Sequence, residues 1–156
     1  MKSLFNVNHN TAISDIAVLL LRILIAALML SHGIPKFASL LSGNVQFPAL
    51  FGLDATSSLS IAVFSEVFCS LLILIGFGTR LAVIPLIITM LVAVFYIHAA
   101  DPFAIKELAV LYLVAYIILL LKGSGKYSID NLLTQRLQKP AYNHKTIEDP
   151  TISIYS

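Results

Sequence analysis

Four runs of apolar residues, Ile13 to Ser31, Leu59 to Phe77, Leu81 to His98 and Phe103 to Leu121, are each close to the ~20 residues that cross a bilayer. None carries the polar face that a helix shows to water. In hydrocarbon every backbone amide must be bonded within the protein, so only helices and closed barrels can span. Barrel strands alternate apolar and polar residues, whereas "VLLLRILIAALML" and "LAVIPLIITMLVAVFYI" run almost continuously apolar. The chain therefore reads as all-α, an integral membrane four-helix bundle. Composition agrees, with 58% hydrophobic and 12% charged residues and a mean hydropathy of +0.92. The first run reads as a span rather than a cleaved leader, because no small-x-small site follows Leu30 and Arg22 interrupts the apolar stretch.

Basic residues orient the bundle. Lys2, Arg80, Lys122, Lys126, Arg136, Lys139 and Lys145 fall on one side of the spans, and only Lys36 and Lys106 on the other. The positive-inside rule then puts both termini in the cytoplasm, as an even number of spans requires. The net charge of +2 implies no nucleic-acid partner. Residues 1–12 read as an N-terminal tail, 13–138 as the transmembrane domain and 139–156, polar and without periodicity, as a flexible C-terminal tail.

The connection between the first two spans is expected to hug the outer surface. Pro35 suits a first helical position, and Ile34, Phe37, Ala38 and Leu41 recur at helical spacing, which predicts a short interfacial helix. Phe47, Leu50 and Phe51 form a second apolar patch. After the fourth span, Gly123-Ser124-Gly125 breaks the chain and Ser128 is placed to cap a short amphipathic helix carrying Ile129, Leu132, Leu133 and Leu137 along the inner surface.

Three ionisable residues lie within the apolar runs: Arg22, Glu66 and Glu107. Each costs about 2.5 to 3.5 kcal/mol to insert, so each needs a partner. Counting ~1.5 Å per residue puts Arg22 and Glu66 at similar depths, with Glu107 several ångströms nearer the outer surface. One reading is a static Arg22 to Glu66 clamp that sets helix register. The other is a ligand-binding or proton-relay site facing a cavity. Two carboxylates against one guanidinium leave the charge unbalanced, so either one Glu keeps its proton or a cation from the outer rim completes the network.

A second polar cluster is expected at that rim, where "SHGIPK" and "YIHAADPF" bring His32, Lys36, His98 and Asp101 to one level. One His per helix, without HxxxH or CxxC spacing, is read as helix-end polarity rather than as a metal or haem site. Lys36 and Lys106 read as snorkelling anchors, between which an anion or acidic head group could sit. Cys69 is the only cysteine, so intramolecular dithiol chemistry is unavailable to this chain. It follows Glu66 on the same helical face and reads as a small packing residue. No residue is assigned a catalytic role.

The segments "LLLRILIAALMLSHGIPKF", "SEVFCSLLILIGFGTRLA" and "KELAVLYLVAYIILLLKGSGKYSID" together resemble the DoxX family, over about Ile16 to Leu133. The positions that match its pattern are Arg22, His32, Gly33, Lys36, Glu66, Arg80, Glu107, Gly123, Gly125, Ser128 and Asp130. The resemblance implies a four-helix protein of the bacterial inner membrane, in a family whose founder members are named for subunits of quinone-linked oxidation systems. The expectation that follows is a redox-associated subunit binding a quinone, or a similar amphipathic molecule, through Arg22, Glu66, Glu107 and His32. Membrane lipid surrounds it and a redox-protein partner supports it. A proton-coupled carrier or channel, which with four spans favours a homo-oligomer, and an assembly factor with a structural polar core are the alternatives.

Overall fold

The computed structural model describes residues 11–138, so the expected tails at 1–10 and 139–156 lie outside the described residues. Four helices long and apolar enough to cross a membrane run up and down: α1 (Thr11–Ser42), α2 (Ala55–Ile75), α3 (Thr79–Ile97) and α4 (Phe103–Lys122). A short fifth helix, α5 (Ile129–Gln138), follows. Thr11 and Gln138 lie at the same end, called here the terminal end; the α1–α2 and α3–α4 connections lie at the far end.

The helices pack as two antiparallel pairs, α1 with α2 and α3 with α4, joined across α2 and α3. Ile73, Val83, Leu86, Tyr116 and Leu119 have no exposed surface, and they make the terminal half of the bundle a closed core. Outward-facing residues are as apolar as the core: Leu24, Leu81, Phe95 and Leu121 are all exposed. That arrangement suits lipid rather than water on the outside, and leaves the internal surface to hold the polar residues.

The expected interfacial helix is not a separate element. α1 continues unbroken through Pro35 to Ser42, 32 residues in all and about 48 Å long at 1.5 Å per residue. Proline removes one intrahelical hydrogen bond, a loss that membrane helices bear when a neighbour packs against the site. Gly33 provides that contact. A Cβ there would lie 2.8 Å from Val67 Cγ2 and 3.1 Å from the Glu66 backbone, so α1 is pressed against α2 just before the proline. The helix ends at Gly43, which takes the left-handed conformation with φ +71°.

α2 starts from an Asp54 cap, whose carboxylate accepts from the Thr56 and Ser57 amides and from the Ser57 hydroxyl. These bonds, the Ser57 hydroxyl's foremost, hold the Asp54 carboxyl below its ordinary range. Two spans contain wider, π-helical turns, Phe64–Cys69 in α2 and Ala93–Ile97 at the end of α3. α5 is capped as expected: Ser128 Oγ accepts from the Asn131 amide at 3.2 Å. Its Leu132, Leu133 and Leu137 are exposed.

Two glycines share φ +71° yet differ in surroundings. A Cβ at Gly43 would meet nothing within 4 Å, whereas one at Gly76 would stand 2.5 Å from Arg22 Nη2 and 2.6 Å from Ser128 Cβ. Gly43→Ala should therefore cost about 1 kcal/mol, the backbone term alone. Gly76→Ala should cost about 2 to 4 kcal/mol because overpacking is added. Thermal unfolding of both variants in one detergent checks the difference; equal melting temperatures would contradict it.

Candidate functional site

The buried charges separate into two centres, at opposite ends of the bundle. Arg22, 1% exposed, does not meet Glu66. Its Nε donates to the Ile73 carbonyl at 2.9 Å and its Nη2 to Leu74 at 3.0 Å. Its Nη1 donates to Ser124 at 2.7 Å and Tyr127 at 2.8 Å. Ile73 and Leu74 lie in the last turn of α2, where the helix dipole favours a cation, and the Ile73 carbonyl accepts from the Gly76 amide as well. The guanidinium thus ties α1 to the end of α2 and to the α4–α5 connection.

The clamp expectation fails for a geometric reason. Side chains lean toward the N-terminus of their own helix. Glu66 packs against Gly33, eleven residues beyond Arg22 on α1 and so about 16 Å farther along the axis, and the opposite leans of the two side chains widen that gap. Lys36, farther along α1, leans back toward Glu66 by the same rule.

Around Arg22 the terminal end is knotted by further bonds. Asp130 accepts from the Gly78 amide at 2.8 Å and the Thr79 amide at 3.4 Å, capping α3 from another helix. The Asp130 amide donates to the Gly76 carbonyl at 3.0 Å. The Lys126 amide donates to Asp15 at 3.2 Å. Gly125 allows the approach, since a Cβ there would come within 3.2 Å of Val18.

The far end holds the second centre. Lys36 Nζ lies 2.5 Å from Glu66 Oε1, so the outer-rim cation is the one that completes the network. The Glu66 side chain is almost fully buried and that of Lys36 about one-third exposed. Glu66 Oε2 is buried and has no hydrogen-bond partner among the described residues. The Lys36 ammonium also sits 5.9 Å from the centre of the Phe47 ring, a cation–π distance.

This pair lines a cavity of about 510 Å³ whose wall is otherwise mostly apolar, with Met29, Leu50, Ile88 and Leu108 among its residues. His32 and His98 both reach it, together with Tyr112, Ser58 and Thr89. His32 meets Tyr112 edge-on at 5.9 Å. His98 Nδ1 lies 2.7 Å from Asp101 Oδ2 at the rim. The apolar patch of the α1–α2 connection forms the roof: Phe47, Leu50 and Phe51 all line the cavity. The Leu50 amide donates to Ser58 Oγ at 3.0 Å, and the Phe51 ring lies 4.9 Å from that of Tyr96, tilted by 38°. Phe51 has φ +53°, a strained conformation for a residue with a side chain.

Both π-helical turns border this cavity, one carrying Glu66 and the other Ala93 and Ile97. Such turns are frequent at functional sites, because the extra residue displaces one side chain from the helical repeat. Glu107 belongs to neither centre; it is exposed on α4. Lys106 donates to the Ala99 carbonyl at 3.1 Å. Tyr112, Ser58 and Thr89 were not anticipated. A tyrosine within a span, which needs a place for its hydroxyl, was the available signal.

Residues 17–99, more than half of the chain, match the DoxX family. The chain belongs to the DoxX family. Two Haemophilus influenzae proteins, each described only as an uncharacterized protein, are similar to it. One is 31% identical over 122 residues, covering 71% of this chain and 86% of the relative. The other is 30% identical over 131 residues, covering 77% and 85%. No solved structure matches. Within this DoxX protein, the residues that carry the resemblance divide between the two centres, except Glu107, which is exposed on α4. Arg22, Ser128 and Asp130 belong to the knot, with Gly123, Gly125 and Arg80 beside it. His32, Gly33, Lys36 and Glu66 belong to the cavity or its wall.

Arg22→Lys tests the role of the knot. An ammonium cannot reproduce a planar fork that reaches carbonyls of two segments. Since charge-assisted bonds contribute about 1.5 to 3 kcal/mol each, the variant should lose on the order of 3 kcal/mol or more. A melting temperature within a degree or two of the parent, by circular dichroism in detergent, would show that charge alone suffices.

Proposed function

We propose that this DoxX protein is a redox-associated membrane subunit whose far-end cavity binds a quinone or another small amphipathic molecule. The observation that carries this reading is a buried Glu66 carboxylate, one oxygen paired with the half-buried Lys36 and the other without a partner among the described residues, in a mostly apolar cavity of about 510 Å³. Ligand pockets have this size and this mix of apolar wall and few polar groups. Lys36 can donate to a quinone carbonyl, and Glu66 Oε2 can accept from the hydroxyl of the reduced form, so the pair suits both redox states. His32, His98 and Tyr112 add polar edges within the same wall.

Arg22 has no part in this site, because its guanidinium is already engaged by four carbonyls. In the redox reading a protein partner exchanges the electrons. With the basic residues in the cytoplasm, the cavity opens on the outer side of the bacterial inner membrane. Ile73, Val83, Leu86, Tyr116 and Leu119 close the bundle between the cavity and the terminal end, which favours one-sided binding over carriage through the monomer.

Lys36→Met combined with Glu66→Gln removes both charges together, which avoids leaving one buried ion unpaired. Isothermal titration with a short-chain quinone should show affinity weakened roughly tenfold or more, the loss of at least one charge-assisted hydrogen bond. An unchanged affinity in a variant that melts like the parent would overturn the assignment.

A further inference from the structure

We infer that the terminal end carries a second, separate site, one that takes the phosphate group of an anionic phospholipid. A shallow pocket of about 290 Å³ lies between the start of α3 and the α4–α5 connection, lined by Gly78, Arg80, Leu81, Lys122, Gly123–Gly125 and Asp130. Its two cations are largely unused. Arg80 makes one long contact, Nη2 to the Leu121 carbonyl at 3.5 Å, and Lys122 has no side-chain partner among the described residues.

The acidic group in the wall does not cancel them. Both oxygens of Asp130 accept amides at the N-terminus of α3, at 2.8 and 3.4 Å, and its charge is opposed there by the helix dipole. Arg80 is exposed, makes no ion pair among the described residues and lies beside Gly123. A Cβ at Gly123 would lie 3.3 Å from Arg80 Nε, so the absent side chain makes the room in which the guanidinium lies. Two exposed cations with spare donors, both lining one pocket, supply the charge-assisted bonds that a phosphate accepts.

The position identifies the phosphate's source as lipid. Arg80 is one residue from the start of α3 and Lys122 is the last residue of α4, so both stand where the spans leave the hydrocarbon. Leu81 and Leu121, each adjacent in sequence to one of the cations, are 75% and 73% exposed, among the most exposed apolar residues of the spans. A phosphate between the cations would leave its acyl chains against these leucines. A free phosphate would use the cations but not the leucines.

Native mass spectrometry of the detergent-purified protein, titrated with phosphatidylglycerol, phosphatidylcholine or inorganic phosphate, tests this. One phosphatidylglycerol should be retained about thirtyfold more strongly than phosphatidylcholine, the factor expected from two surface cations. Arg80→Gln with Lys122→Gln should remove the preference, whereas Lys106→Gln at the far end should not. The preference of the parent protein should also fall as salt is raised, a readout that needs no variant. Equal retention of the two lipids, a preference untouched by the double substitution, or saturation by inorganic phosphate that displaces the lipid would each overturn the proposal.

Discussion

A guanidinium in the terminal half of a membrane bundle, satisfied by backbone carbonyls instead of a carboxylate, governs the remainder of this structure. Arg22 draws its four acceptors from the last turn of α2 and from the α4–α5 connection. These segments must therefore come together, and Gly76 lets them do so by presenting no Cβ to Arg22 or Ser128. The α4–α5 connection is then fixed against the bundle, which puts Asp130 at the N-terminus of α3. One buried charge thus organises a whole end of the molecule, through carbonyls of a helix terminus and of a connection.

Because Arg22 takes no carboxylate, Glu66 must find its cation elsewhere. Lys36 is within reach only because α1 stays helical beyond Pro35 and is pressed onto α2 at Gly33. Oε2 of Glu66 is left over, an acceptor without a partner among the described residues in the wall of the cavity. The two centres therefore differ in kind. At the terminal end the buried charge of Arg22 is met by four carbonyls, whereas at the far end the buried carboxylate of Glu66 keeps one oxygen without a partner among the described residues and faces a cavity.

Much of this was legible in the residues. Continuous apolar runs define the four spans, and Gly123-Ser124-Gly125 followed by Ser128 marks the break and cap before α5. Charge counting already required either a protonated Glu or a cation from the rim, and Lys36 is that cation. What the residues did not convey is register. Depth counted along Cα atoms paired Arg22 with Glu66, but α1 continues to Ser42 and Glu66 packs against Gly33, about 16 Å beyond Arg22. Pro35 looked like a helix start because its missing amide fits a first turn. The cost of keeping it internal depends on a contact at Gly33 that is set by packing. Glu107 looked like a third member of the polar core, but α4 turns it outward. The π-helical turns at Glu66 and Ala93 have no compositional signature, since they arise where helix packing displaces a residue.

The polar residues fall into two centres, a knot of internal bonds at the terminal end and a cavity at the far end. Cysteine labelling in oriented vesicles tests it most directly. With Cys69→Ala as background, a cysteine is placed at Ala62, which lines the cavity, or at Ala26, which is 1% exposed in the core. A membrane-impermeant maleimide should modify the Ala62→Cys protein from the side opposite the termini and leave Ala26→Cys untouched from either side. Labelling of Ala62→Cys only from the side of the termini, or equal labelling of both variants, would contradict the account.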